Sequence, residues 1–222
     1  MVDPLPPERD QSRPTTRRPK PTARERVIAA GFAGDLLAVE READHEDAQV
    51  RIAVLNAKSR LLALTVSEVV RGLNDEDARV RRRALELSST VTGRGVKTTL
   101  IDGLINALSD EDPLVIDGAC WAIGERQAAQ ALEPLCDLAR NHSDPRCREA
   151  AVAALGAIGD EAGLATIILC LDDKPNIRRR VVVALASFEG EAVDQALDRC
   201  RVDHDWQVRQ AVEMLERTSP LA

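Results

Sequence analysis

The chain has few aromatic residues: two phenylalanines, two tryptophans and no tyrosine. A surface that stacks bases or sugars needs more rings than that. Lysine is scarce as well, four residues against 26 arginines, a bias that points to a GC-rich, bacterial genome. No run of 18 apolar residues occurs, so no membrane span is expected. The N-terminus lacks the apolar core of a secretion signal. Five cysteines (Cys120, Cys136, Cys147, Cys170 and Cys200) form no CxxC pair. That pattern disfavours structural zinc and suits reduced core thiols in a cytoplasmic protein. Phosphate-cradling, dinucleotide-binding and nucleophile-elbow motifs are missing. No catalytic residue, cofactor or metal site is therefore expected.

Charge is unevenly spread. The first 21 residues hold six of the eleven prolines and should form an extended basic arm. Through Arg26 the chain carries seven basic residues against four acids, so the remainder sums to −10 within a net −7. The acidic body speaks against broad nucleic-acid binding. The arm keeps a nucleic-acid contact, or capture of an acidic partner, possible.

The body is periodic. In SDPRCREAAVAALGAIGD (143–160), Asp144 can cap a helix, with Pro145 at the first helical position. Cys147, Ala150, Ala151, Ala154 and Leu155 then make one apolar face. Positions equivalent to Cys147 are Val50, Val80, Val115, Ile177 and Val208, spaced by 30, 35, 32, 30 and 31 residues. Three residues before these anchors stand Asp47, Asp77, Asp112, Asp144, Lys174 and Asp205. A period near 30 that carries caps and apolar positions together is the signature of a helical solenoid, because one such unit cannot bury its own face. Second helices are expected over roughly 48–64, 78–91, 113–124, 145–156, 175–187 and 206–217. First helices precede each, over roughly 35–43, 66–73, 97–108, 128–140, 162–171 and 191–201. Thr22 should cap an additional helix that covers the N-terminal end. The expected fold is all-α: a right-handed α-α superhelical solenoid of about six helix pairs over residues 22–218, with a capping helix at 22–33 and the arm at 1–21.

The stretches LSDEDPLVIDGACWAIG (108–124) and LDDKPNIRRRVVVALA (171–186) resemble HEAT repeats, in the short variety first recognised in phycobilin lyases. The resemblance covers roughly residues 35–217. It implies a ladder between neighbouring repeats, formed by an acid in the turn and a basic residue just after the anchor. The basic partners would be Arg51, Arg81, Arg148, Arg178 and Arg209, and the acids Asp75, Asp110, Asp172 and Asp203. His45 and His142 take the acid's place in repeats one and four, and Ile116 takes the arginine's place in repeat three. With His204, these histidines stand a repeat or more apart, too far to share a metal.

The same resemblance puts the second helices on the inner face of the stack. Six residues past each anchor lie Asn56, Glu86, Trp121, Ala153, Val183 and Met214, a row that turns from polar to apolar at repeat three. Ile116, Trp121, Val183 and Met214 are the candidate partner-binding residues, with a mid-stack tryptophan as the anchor. Trp206, early in the last helix, is expected to close the C-terminal end of the core. The arginine runs Arg79, Arg81, Arg82 and Arg83, and Arg178, Arg179 and Arg180, should spread around their helices, not form one patch. These features favour a non-catalytic scaffold or adaptor in the bacterial cytoplasm that binds a protein partner. A nucleic-acid-binding or repair module and a subunit of a lyase-type complex are the alternatives.

Overall fold

The computed structural model describes residues 20–93 and 96–218. Thirteen α-helices and no strands occur among them. Most of the expected basic arm, residues 1–19, lies outside the described residues.

Local chemistry starts each helix where the sequence places it. Thr22 caps α1 (Ala23–Ala33) in a capping box: its hydroxyl accepts the Glu25 N–H, and the Glu25 carboxylate accepts the Thr22 N–H at 2.7 Å. The second helices α3 (Ala48–Arg60), α5 (Ala78–Ser88), α7 (Pro113–Glu125) and α9 (Pro145–Ile158) each begin behind an aspartate whose side chain accepts a first-turn N–H. Asp205 does the same for α13 (Trp206–Thr218), accepting from Gln207 at 2.8 Å. Lys174 cannot, and α11 (Pro175–Leu185) relies on Pro175 at its first position. The first helices are α2 (Leu36–Glu40), α4 (Val66–Leu73), α6 (Ile101–Asn106), α8 (Leu132–Asn141), α10 (Glu161–Leu169) and α12 (Glu191–Arg201). A π-helical turn, Val96–Leu100, leads into α6.

The helices form two rows. The second helices stack in chain order with α1 at their head, and the first helices pack behind them. Each anchor is buried: Val50, Val80, Val115, Cys147, Ile177 and Val208 all lie in the core. Small residues set the spacing within the row. Gly31, Gly124 and Gly156 occupy one equivalent position, nine residues past the anchor, or where α1's would be, and they face Ala57, Ala154 and Ala184 of the next helix. A Cβ at Gly156 would lie 2.6 Å from the Ala184 Cβ and 2.7 Å from its Cα, so only glycine permits that approach. Gly156 lies inside α9, and Gly159, at φ 68°, ends it in the left-handed conformation.

Candidate partner-binding face

The joints between repeats fix how the row of second helices is presented. At four of them an arginine one past the anchor forks onto an aspartate in the next turn. Arg51 meets Asp75 at 2.8 and 2.7 Å, and Arg81 meets Asp110 at 2.7 and 2.8 Å. Arg148 meets Asp173 at 2.6 and 2.8 Å, and Arg178 meets Asp203 at 2.8 and 2.7 Å. The remaining Nη1 donates to carbonyls of the arginine's own turn, as Arg81 does to Asp75 and Glu76. These planar two-bond contacts orient as well as attract. The hydrogen-bonded guanidinium holds the Asp173 and Asp203 carboxyls below their ordinary value.

One expected rung acid is wrong. Asp172 does not meet Arg148; it is exposed and pairs with Arg199. The turn before α11 has lysine where the others have the capping aspartate. The carboxylate that organises this turn is therefore one place later: Asp173 accepts the Lys174 N–H at 2.7 Å and the Arg148 fork together. Arg209 bonds the carbonyls of Asp203 and His204 at 2.6 and 3.1 Å, and among the described residues its fork meets no acid.

The joint between repeats three and four has no charged rung. Ile116 and His142, which break the sequence pattern separately, are the two halves of this single rung. His142 accepts the Asp144 N–H at 3.1 Å through Nδ1, the task that the ladder aspartates perform in their own turns. His45 does likewise for Asp47 at 2.9 Å. Ile116 is 1% exposed and belongs to the core, so it cannot contact a partner. It lies five residues before Trp121, about 140° around the helix, and that rotation turns it inward as Trp121 turns outward.

The outward row is at the surface. Trp121 is 50%, Val183 54% and Met214 60% exposed, Glu86 is exposed, and Asn56 and Ala153 are half-buried. Leu114, two turns before Trp121 on the same face, is exposed as well, and its spacing of seven could have marked it in the sequence. Trp121 stands between two grooves. The larger, about 580 Å³, runs between α7 and α9 and is lined by Leu114, Asp117, Trp121, Glu125, Glu149 and Ala153, among others. The smaller, about 320 Å³, lies towards α5 with Arg82 and Glu86. A third groove of about 430 Å³ separates α11 from α13, with Val183 and Met214 on its walls. Trp206 does not close the core. At the first position of α13 it is exposed, since no further helix packs on that side among the described residues.

The arginine runs divide as helix geometry requires. Arg81 and Arg178 serve the ladder, Arg79 pairs with its own cap Asp77, and Arg83 donates to Asn56 at 2.5 Å. Arg179 and Arg180 nonetheless meet along one groove, which departs from the expected spread. Polar ties join α3 to α5 through Asn56 and Arg83, and α9 to α11 through Glu149, which accepts from Asn176 at 2.7 Å. Asp117 and Glu125 beside Trp121 make no such tie among the described residues. Burial pushes the thiols of Cys170 and Cys200 up to about 11 and raises those of Cys120 and Cys147 as well. Such thiols are inert core residues at neutral pH. Among the described residues no cluster of His, Cys, Asp and Glu could hold a metal, and no helix is long and apolar enough to cross a membrane.

Residues 101–175 match the family model for HEAT repeats. Among solved structures, the crystal structure of an engineered protein is 20% identical with a TM-score of 0.58, over 82% of this chain and 97% of that one. A designed armadillo repeat protein in complex with the peptide (KR)4 is 18% identical with a TM-score of 0.53, over 86% and 97%. The Escherichia coli protein YibA is 15% identical with a TM-score of 0.59, over 90% and 76%. No curated protein matches the chain. At these identities the likeness is one of fold. The fold is an all-α repeat solenoid of the armadillo and HEAT kind, with HEAT-like repeats matched over residues 101–175.

Proposed function

We propose that this chain is a non-catalytic scaffold of the bacterial cytoplasm that binds a protein partner along the exposed face of its second helices. Trp121 carries the proposal: half of a large apolar side chain lies open at mid-stack, with a groove on either side. Exposed tryptophans backed by packed neighbours are where binding energy concentrates. Val183 and Met214 extend the apolar row along the stack. The ladder and the glycine contacts hold successive helices in fixed register, so the face is formed before binding and little ordering cost remains. A solenoid of the same fold in complex with a peptide, the designed protein with (KR)4, is in keeping with a protein segment as ligand.

The test is affinity capture from native lysate at moderate salt with the full chain, with residues 22–222 and with Trp121→Asp, nucleic acid being assayed separately. The expected result is one defined protein held by the first two and lost by Trp121→Asp, whose helicity by circular dichroism matches the parent. Equal capture by Trp121→Asp would end the proposal. Nucleic acid held only by the full chain would move the function to the arm.

A further inference from the structure

The three grooves differ in charge. Around Trp121 the α7/α9 groove carries three carboxylates (Asp117, Glu125, Glu149) against Arg146 and Arg180. The α11/α13 groove has no acid on its walls: Arg179 and Arg180 stand at one side, Gln207 and Gln210 at the other, with Val183 and Met214 between. Among the described residues Arg179 makes no ion pair, and Arg180 reaches only Glu149 at 3.5 Å, a weak contact. The Nε of Arg180 is buried and has no acceptor among the described residues, so the groove is reached by the terminal nitrogens of its guanidinium.

We infer that the α11/α13 groove is a subsite for an acidic, apolar protein segment. A carboxylate of the partner bonds Arg179 and Arg180, and a neighbouring large apolar side chain rests on Val183 and Met214. This rests on the protein-binding function proposed above and states the chemistry of one part of the ligand. A guanidinium pair with amide donors opposite suits a carboxylate or its backbone carbonyls, and it repels a basic segment. The pocket volume, about 430 Å³, accommodates two or three side chains.

The probes are three fluorescein-labelled peptides, GELEFEG, GQLQFQG and GKLKFKG, titrated into the full chain at low salt with fluorescence polarisation. The acidic peptide should bind at least about tenfold more tightly than the glutamine peptide, the lysine peptide least of all. The double variant Arg179→Gln, Arg180→Gln should erase that preference at unchanged helicity. Arg179→Lys, Arg180→Lys, which keeps the charge and loses the fork, should retain only part of it. Equal binding of acidic and glutamine peptides, tighter binding of the lysine peptide, a preference that survives Arg→Gln, or no binding at about 1 mM would each overturn the inference. If it fails while partner capture still depends on Trp121, only the subsite is lost. If the acid preference holds and capture ignores Trp121, the subsite stands and the wider proposal falls.

Discussion

Two joints of the same stack are built differently. Between repeats five and six, Arg178 forks onto Asp203 across 25 residues of sequence, with both side chains mostly buried. Between repeats three and four the corresponding positions are Ile116, 1% exposed, and His142, which bonds only its own turn. The first joint is held by a directional, charge-assisted contact, the second by apolar burial. A joint therefore tolerates either solution provided both halves change together. An arginine opposite His142 would bury a cation without its counter-ion, and an aspartate opposite Ile116 would lack its donor. The uncharged joint also borders the α7/α9 groove and Trp121. The central repeats thus place their apolar surface both inside the stack and on its face.

The contrast can be broken from either side. Ile116→Arg alone should have the largest effect, a loss of about 3–5 kcal/mol in urea unfolding, because it removes a buried isoleucine and introduces an unpaired charge. Adding His142→Asp to that variant should recover about 2 kcal/mol by creating a fifth rung. No recovery would mean that the joint is fixed by packing alone. Arg178→Ala comes next, at about 2 kcal/mol, because Asp203 loses its fork in a half-dry site. Arg209→Ala gives up two turn bonds and, among the described residues, no cross-repeat pair, and should cost about half as much.

The pH dependence is the smallest effect and the sharpest. The Asp173 and Asp203 carboxyls are held below their ordinary value by Arg148 and Arg178. A group with a depressed folded value stabilises fully above its unfolded value, near 3.9, and loses that contribution as pH falls through the folded value. The urea midpoint should therefore drop in the parent chain as pH falls below about 4. In an Arg148→Ala, Arg178→Ala variant the drop should be shallower. An equal slope in both would show that these rungs do not set the acid stability.

Much of the fold was legible because it is encoded locally. Aspartates three before the anchors, prolines at first helical positions and alanines at i, i+4 and i+7 act within one or two turns, and the helices begin where they stand. The exposed row was legible by the same periodicity, and so were four of the five ladder arginines, Arg209 being the exception. The acid side was less so. Asp172 and Asp173 are adjacent carboxylates, and the choice between them depends on how the turn closes once Lys174 replaces the cap. Ile116 and Trp121 share an apolar helix, and only rotation about its axis separates core from surface. Trp206 matched a core residue in type, but it is exposed at the end of the described stack.

By itself, the sequence determined the period, the caps, the helix order and the small residues that let helices approach, since each acts on its own turn or on the next one. The tertiary structure alone decided which acid completes a rung, that Ile116 and His142 form one joint, and that Arg179 and Arg180 meet at one groove. Those outcomes join groups 24 to 29 residues apart or on separate helices. They follow from the relative placement of packed helices, which no local pattern carries.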